Sequence, residues 1–236
     1  MNQSPSYHNP EFDAFAENYE EALEKGIAIS GEPKEYFARG RVDRLAEIFR
    51  ALNFTPRRAM DFGCGTGTAT PYLLGLPGLQ ELLGVEVSPK SLEVARRLHG
   101  GPSVQFRLCN DYRPAGELDF VFCNGVFHHI PPGERAKALE YLFKSLRPGG
   151  LFALWENNPW NPGTRYVMSR IPFDRDALMI SARESVVMLK QAGFEIVRTD
   201  FLFFFPHILR GLRWLDPLLR QFPLGAQYLV LARRPN

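Results

Sequence analysis

From residue 58 onward, short apolar runs alternate with amphipathic stretches. The runs Arg58–Phe62, Glu81–Val87, Val104–Leu108, Leu118–Cys123 and Leu151–Trp155 are rich in aliphatic and aromatic residues, as strands buried on both faces are. Between them lie segments with helical spacing: one begins at Thr68–Leu74, one runs from Ser88-Pro89 to Leu98, and one covers Gly133–Leu146. Proline at a first helical turn and Arg147-Pro-Gly-Gly150 after a last turn are start and stop signals. Strands that alternate with helices predict a parallel sheet covered on both faces. Upstream, Phe12–Lys25 and Glu35–Leu52 carry apolar stripes at helical spacing, and Gly26–Pro33 breaks between them. Downstream, Asn157–Arg175 reads as irregular, Ser181–Ala192 as a helix with a Ser181/Glu184 capping box, and Glu195–Phe205 and Gln227–Ala232 as two last strands.

The first strand runs into Ala59-Met-Asp-Phe-Gly-Cys-Gly-Thr-Gly-Thr68. Glycines at 63, 65 and 67 allow positive φ and let a ligand lie against the backbone. In an open α/β sheet this loop is where a nucleotide-like ligand binds. The dinucleotide fingerprint G-x-G-x-x-G is not met, because Thr68 stands where its third glycine would be. Asp61 before the loop would repel a pyrophosphate and suits a cationic amino-acid group.

On these residues the chain resembles the class I S-adenosylmethionine-dependent methyltransferases, whose first motif is similar to Asp61-Phe-Gly-Cys-Gly-Thr-Gly67. The similarity extends to Leu146-Arg-Pro-Gly-Gly150 and the strand after it, in the style of the small-molecule branch that includes the quinone-biosynthesis enzymes. The resemblance implies a Rossmann-like, mostly parallel seven-stranded sheet of order 3-2-1-4-5-7-6. It also implies a helical cap over residues 1–56, a catalytic domain over 57–236, and a helical insertion at about 205–222. S-adenosylmethionine is the implied cofactor. Its amino-acid portion is expected against Asp61, Gly63, Cys64, Gly65 and Gly67, with Tyr19 and Arg41 reaching in from the cap. Glu86, with Val87, ends the second strand, where an acid accepts ribose hydroxyls. Asn110, Asp111 and Tyr112 follow the third strand and are expected near the adenine, and Asn124 ends the fourth.

Two segments carry candidate chemistry for transfer. Cys123-Asn-Gly-Val-Phe-His-His129 holds adjacent histidines, and a neutral imidazole at His128 or His129 could take a proton from the acceptor. A capping or packing role for the pair is the competing reading, and a metal site is not expected because no third ligand is spaced nearby. Trp155-Glu-Asn-Asn-Pro-Trp-Asn-Pro162 follows the fifth strand: Glu156 is a candidate base, and Asn157 and Trp160 are candidate substrate contacts. Arg39 and Arg41 are two apart on a helix, so at most one can point inward.

Composition narrows the partners. The chain has 236 residues, 45% of them apolar, and a net charge of +2 with signs mixed, so no concentrated basic face argues for nucleic acid. No run reaches the length of a membrane span. Cys64, Cys109 and Cys123 have no metal-like spacing and read as reduced thiols, which suits a cytoplasmic protein. The segment His207–Phe222 mixes leucines, Trp214 and arginines but is broken by Pro217; it reads as a cover over the sheet or substrate rather than a membrane helix. The expected partner is a small-molecule acceptor, with a homodimer as the only macromolecular assembly considered. A nicotinamide-dependent oxidoreductase, disfavoured by the glycine spacing and Asp61, and a non-catalytic cofactor-binding subunit are the rival readings.

Overall fold

A computed structural model describes residues 19–236 except 172, 173, 175 and 176, with side chains from Leu23 onward. The helix expected over Phe12–Lys25 therefore lies partly outside the described residues, as does the side chain of Tyr19. Seven strands form one sheet of order β3-β2-β1-β4-β5-β7-β6. They are β1 (Arg58–Phe62), β2 (Glu81–Glu86), β3 (Val104–Leu108), β4 (Leu118–Asn124), β5 (Leu146–Asn157), β6 (Glu195–Leu202) and β7 (Gln227–Arg233). The first five are parallel, and β7 runs antiparallel to both β5 and β6.

Successive side chains of a strand point to opposite faces, and the core divides accordingly. Met60, Phe62, Val121, Cys123, Phe152, Leu154, Tyr228 and Val230 pack on one face. Ala59, Phe120, Phe122, Leu151, Ala153, Trp155, Leu229 and Leu231 pack on the other. The first face is covered by the helices Pro132–Ser145 and Ala182–Gln191. The second is covered by Lys34–Ala51, through Val42, Leu45, Ile48 and Phe49, and by Pro89–His99, through Leu92 and Ala95. A buried ion pair, Arg44 Nη2 to Asp200 Oδ2 at 2.7 Å, fastens helix Lys34–Ala51 to β6. With no water at the β1, β5 and β7 surfaces, alternation disappears from the sequence and only the apolar run remains.

Three elements depart from the sequence reading. The stretch Asn157–Arg175 contains a helix, Pro162–Arg170. Asn161 caps it, its Oδ1 accepting from Thr164 N at 2.9 Å, so Asn161-Pro162 is a helix start and not merely a turn. Strand β5 begins at Leu146, because the Arg147-Pro-Gly-Gly150 stretch runs beside β4 through a register shift. Strand β6 stops at Leu202, where Phe203 takes a positive φ of 62°. The segment after it is a 3₁₀ helix, His207–Leu215, followed by one α-turn, Asp216–Leu219. No helix among the described residues is long and apolar enough to cross a membrane.

Candidate active site

The carboxyl ends of β1, β4 and β5 open into a cavity of about 440 Å³. Its floor is the loop after β1. Gly63, Gly65 and Gly67 all have left-handed φ, at 71°, 52° and 81°. A Cβ on Gly63 would lie 2.4 Å from Val126 Cγ2, and one on Gly67 would lie 2.9 Å from His99 Cδ2, so packing as well as φ demands glycine at both. A Cβ on Gly65 would meet nothing within 4 Å: this glycine faces the open cavity.

Asp61 and Asn124 line this floor. Asp61 is 3% exposed, and its Oδ2 has no hydrogen-bond partner. Burial, with the nearby Glu86 carboxylate adding and Arg41 opposing, pushes the Asp61 carboxyl up to about 7. Asn124 Oδ1 is likewise buried without a partner. Two orphan acceptors in one cavity call for a ligand group rich in N–H donors, because a buried acceptor left unpaired costs about 1–3 kcal/mol.

Glu86 braces the loop. Its Oε2 accepts from Gly65 N at 3.0 Å, and its Oε1 accepts from Val87 N at 2.7 Å and Ser88 N at 3.1 Å. Glu86 is 9% exposed and lies outside the cavity lining, so its observed role is to brace the loop. Cys64 lines the cavity, and burial holds its thiol well above the usual range; Cys109 and Cys123 are buried thiols outside it. Asn110 and Asp111 are exposed in a 3₁₀ turn after β3 and lie outside the cavity lining, as does Val87. Tyr112 is a core residue: 5% exposed, ring edge-on to Tyr141, hydroxyl donating to Glu117 Oε1 at 2.6 Å. A tyrosine sealed this way has no face left for a base.

The cap supplies Arg41 but not Arg39, which is exposed, as their spacing on helix Lys34–Ala51 requires. Arg41 Nη1 donates to Gln227 Oε1 at 2.9 Å, and Gln227 Nε2 donates to Asn157 Oδ1 at 3.1 Å. All three line the cavity, so Asn157 belongs to its wall. Trp160 is 65% exposed and does not line it. Asn158 is structural, its Nδ2 donating to the carbonyls of Pro223 and Gly225 at 3.0 and 2.8 Å. Much of the rest of the wall is apolar, through Leu23, Ile27, Phe37, Met168, Ile171, Phe203 and Phe205, although Glu32, Lys34, Tyr36 and Thr164 line it too.

The histidine pair sits in a polar cluster at the cavity's edge. Glu156 is 1% exposed, and both its oxygens are engaged: Oε1 accepts from Phe127 N at 2.8 Å, and Oε2 lies 2.5 Å from His128 Nδ1. Glu156 therefore orients His128 and is not placed to take a proton from an acceptor. Burial alone would push the His128 imidazole down; the Glu156 carboxylate, with Asp174, overrides this and raises it to about 10. A ring held toward its protonated form by two carboxylates is poorly suited to the general-base role expected from the sequence. His129 Nε2 is 3.2 Å from Asp174 Oδ1, and His128 Nε2 is 3.5 Å from the same oxygen. Asp174 is the residue that sequence reasoning missed. It belongs to the segment read as irregular, and only the fold carries it back to His128 and His129.

Residues 59–150 match the family model described as a methyltransferase domain. Trans-aconitate 2-methyltransferase from Methylobacterium nodulans is 33% identical over 116 residues, 49% of this chain and 43% of that protein. The Acidovorax enzyme of that name is 26% identical over 184 residues, covering 72% of this chain and 70% of its own. The chain thus spans less than half of the first of these relatives, and neither is a quinone-biosynthesis enzyme. Among solved structures, an S-adenosylmethionine-dependent methyltransferase from Thermotoga maritima superposes with a TM-score of 0.64 at 19% identity, covering 94% of this chain and 98% of that one. A TehB-like one from Corynebacterium glutamicum gives 0.61 at 18%, covering 97% and 100%.

Residues 59–150 thus match a methyltransferase domain, and the fold is shared with solved S-adenosylmethionine-dependent methyltransferases, the cofactor of which is S-adenosylmethionine. The residues present fit it. The orphan Asp61 and Asn124 acceptors suit its ammonium, and the open face of Gly65 leaves room for its backbone.

Proposed function

We propose that this chain transfers a methyl group from S-adenosylmethionine to an oxygen or nitrogen of a small-molecule acceptor with an apolar body. The observation that carries the reading is the pair of partnerless buried acceptors, Asp61 Oδ2 and Asn124 Oδ1, on a glycine floor beneath a largely apolar wall. The bound cofactor supplies an electrophilic methyl on a sulfonium. What the chain must do is align the acceptor with that methyl and keep water out.

Each part of the wall has a task in this reading. Asp61 and Asn124 anchor the amino group. The Gly63–Gly67 loop, braced by Glu86, sets the depth of the cofactor. Phe37, Phe203 and Phe205 enclose the acceptor from the side of the cap, and Met168 and Ile171 from the side of helix Pro162–Arg170. The linked side chains Arg41, Gln227 and Asn157 give the enclosure one polar edge, which can orient the acceptor. The names of the relatives support a small acceptor. The cavity lining supports an acceptor more apolar than a tricarboxylate.

The test is a screen of hydroxylated and amino-bearing apolar acceptors, read by release of S-adenosylhomocysteine, with Phe203→Ala alongside. Turnover with at least one such acceptor, and a raised KM in the variant, are expected. Turnover confined to small polycarboxylates would overturn the apolar reading.

A further inference from the structure

We propose that His128, His129 and Asp174 form a binding site for a divalent first-row transition ion at the acceptor edge of the cavity. Each of the three offers one ligand atom, and these atoms lie within 4.8 Å of one another. The Nε2 atoms of His128 and His129 stand 3.5 and 3.2 Å from Asp174 Oδ1. Nitrogen and oxygen ligands about 2.1 Å from a common ion stand roughly 3.0–3.5 Å apart, so the spacing is that of neighbouring ligands.

A second observation points the same way. His128 Nε2 is buried and makes no hydrogen bond, on a ring only 4% exposed, and it is aimed into the cluster. The opposite nitrogen of the same ring is held by Glu156 at 2.5 Å. A carboxylate on one imidazole nitrogen, with the other nitrogen directed at a shared point, is how proteins orient a metal-binding histidine.

Three protein ligands leave coordination positions open, and all three residues line the cavity. An acceptor's oxygen or carboxylate is the chemistry that would fill them. That last role rests on the methyl-transfer reading, whereas the ion site itself does not.

The experiment uses tag-free, chelator-treated full chain titrated with Co²⁺ alone, followed by its visible absorption and by calorimetry. One equivalent is expected to bind with visible bands of a low-symmetry nitrogen–oxygen site and with release of protons. Asp174→Asn should weaken Co²⁺ binding by more than about 100-fold, and Glu156→Gln, which acts through His128, by about 10–100-fold. Circular dichroism and S-adenosylhomocysteine binding check each variant's fold. Asp174→Asn should keep cofactor affinity, which separates a lost ion site from a lost fold. Absence of a stoichiometric Co²⁺ site in the wild-type chain, or unchanged Co²⁺ affinity in a folded Asp174→Asn, would overturn the proposal. Failure of S-adenosylhomocysteine to bind the wild-type chain would instead count against the methyltransferase reading.

Discussion

Two polar constellations share one cavity and are finished in opposite ways. On the floor, Asp61 and Asn124 present buried acceptors that no residue satisfies. At the edge, Glu156 and Asp174 close around the histidine pair, and the charges compensate one another. An unsatisfied acceptor is held in place by the fold at a cost in stability and is suited to a ligand. A satisfied buried pair contributes to the fold itself. The same chemical change, removal of one carboxylate, should therefore have opposite consequences in the two places.

Glu156→Ala is the most damaging substitution expected. It strands a buried imidazole and the Phe127 amide, and breaking such a pair by removing one partner costs about 3–5 kcal/mol. A denaturant midpoint shift of that size would sharpen the contrast; a shift comparable to an exposed position would break it. Glu86→Ala comes next. It frees the Gly65, Val87 and Ser88 amides that order the loop and removes the expected ribose acceptor, so S-adenosylhomocysteine affinity should fall by about 1–3 kcal/mol in calorimetry. Unchanged affinity would take Glu86 out of the cofactor site. Trp160→Ala should do least: the side chain is exposed, and stability should stay within about 0.5 kcal/mol with an unchanged acceptor KM. A raised KM would return Trp160 to the substrate contacts that its sequence neighbourhood suggested.

Much of the floor was legible in the sequence because it is local. Gly63, Gly65 and Gly67 sit within one loop, and Asp61 is the polar end of an apolar run, so type and spacing sufficed. The strand order followed from the family resemblance, while the existence of β1 to β5 followed from apolar runs separated by helical periodicity. The edge was not legible, because it is assembled from three distant segments. The histidine pair was visible, but its ring chemistry depends on Glu156 behind it and Asp174 beside it, neither of which periodicity connects to residue 128. Helix Pro162–Arg170 was hidden for a local reason. Asn and Pro are turn formers and helix starters alike, and only the bond from Thr164 N to Asn161 Oδ1 decides between them.

The pH dependence of cofactor affinity tests the floor most directly. In the ligand-free chain the Asp61 carboxyl is raised to about 7 by burial and Glu86, with Arg41 opposing, so the folded state keeps a proton that the unfolded chain gives up near pH 4. Stability from this group is thus full below about pH 4 and lost as pH rises through about 7. A cationic ligand reverses the balance, because it binds the ionised carboxylate. Calorimetric titration with S-adenosylhomocysteine should show affinity rising about tenfold between pH 6 and 8, following the ionised fraction. Asp61→Asn should bind about 10–100-fold more weakly at pH 8, lose that pH dependence, and be no less stable than the parent without ligand. Wild-type affinity that is flat from pH 6 to 8 and matched by Asp61→Asn would contradict the assignment of this carboxylate to the cofactor's ammonium.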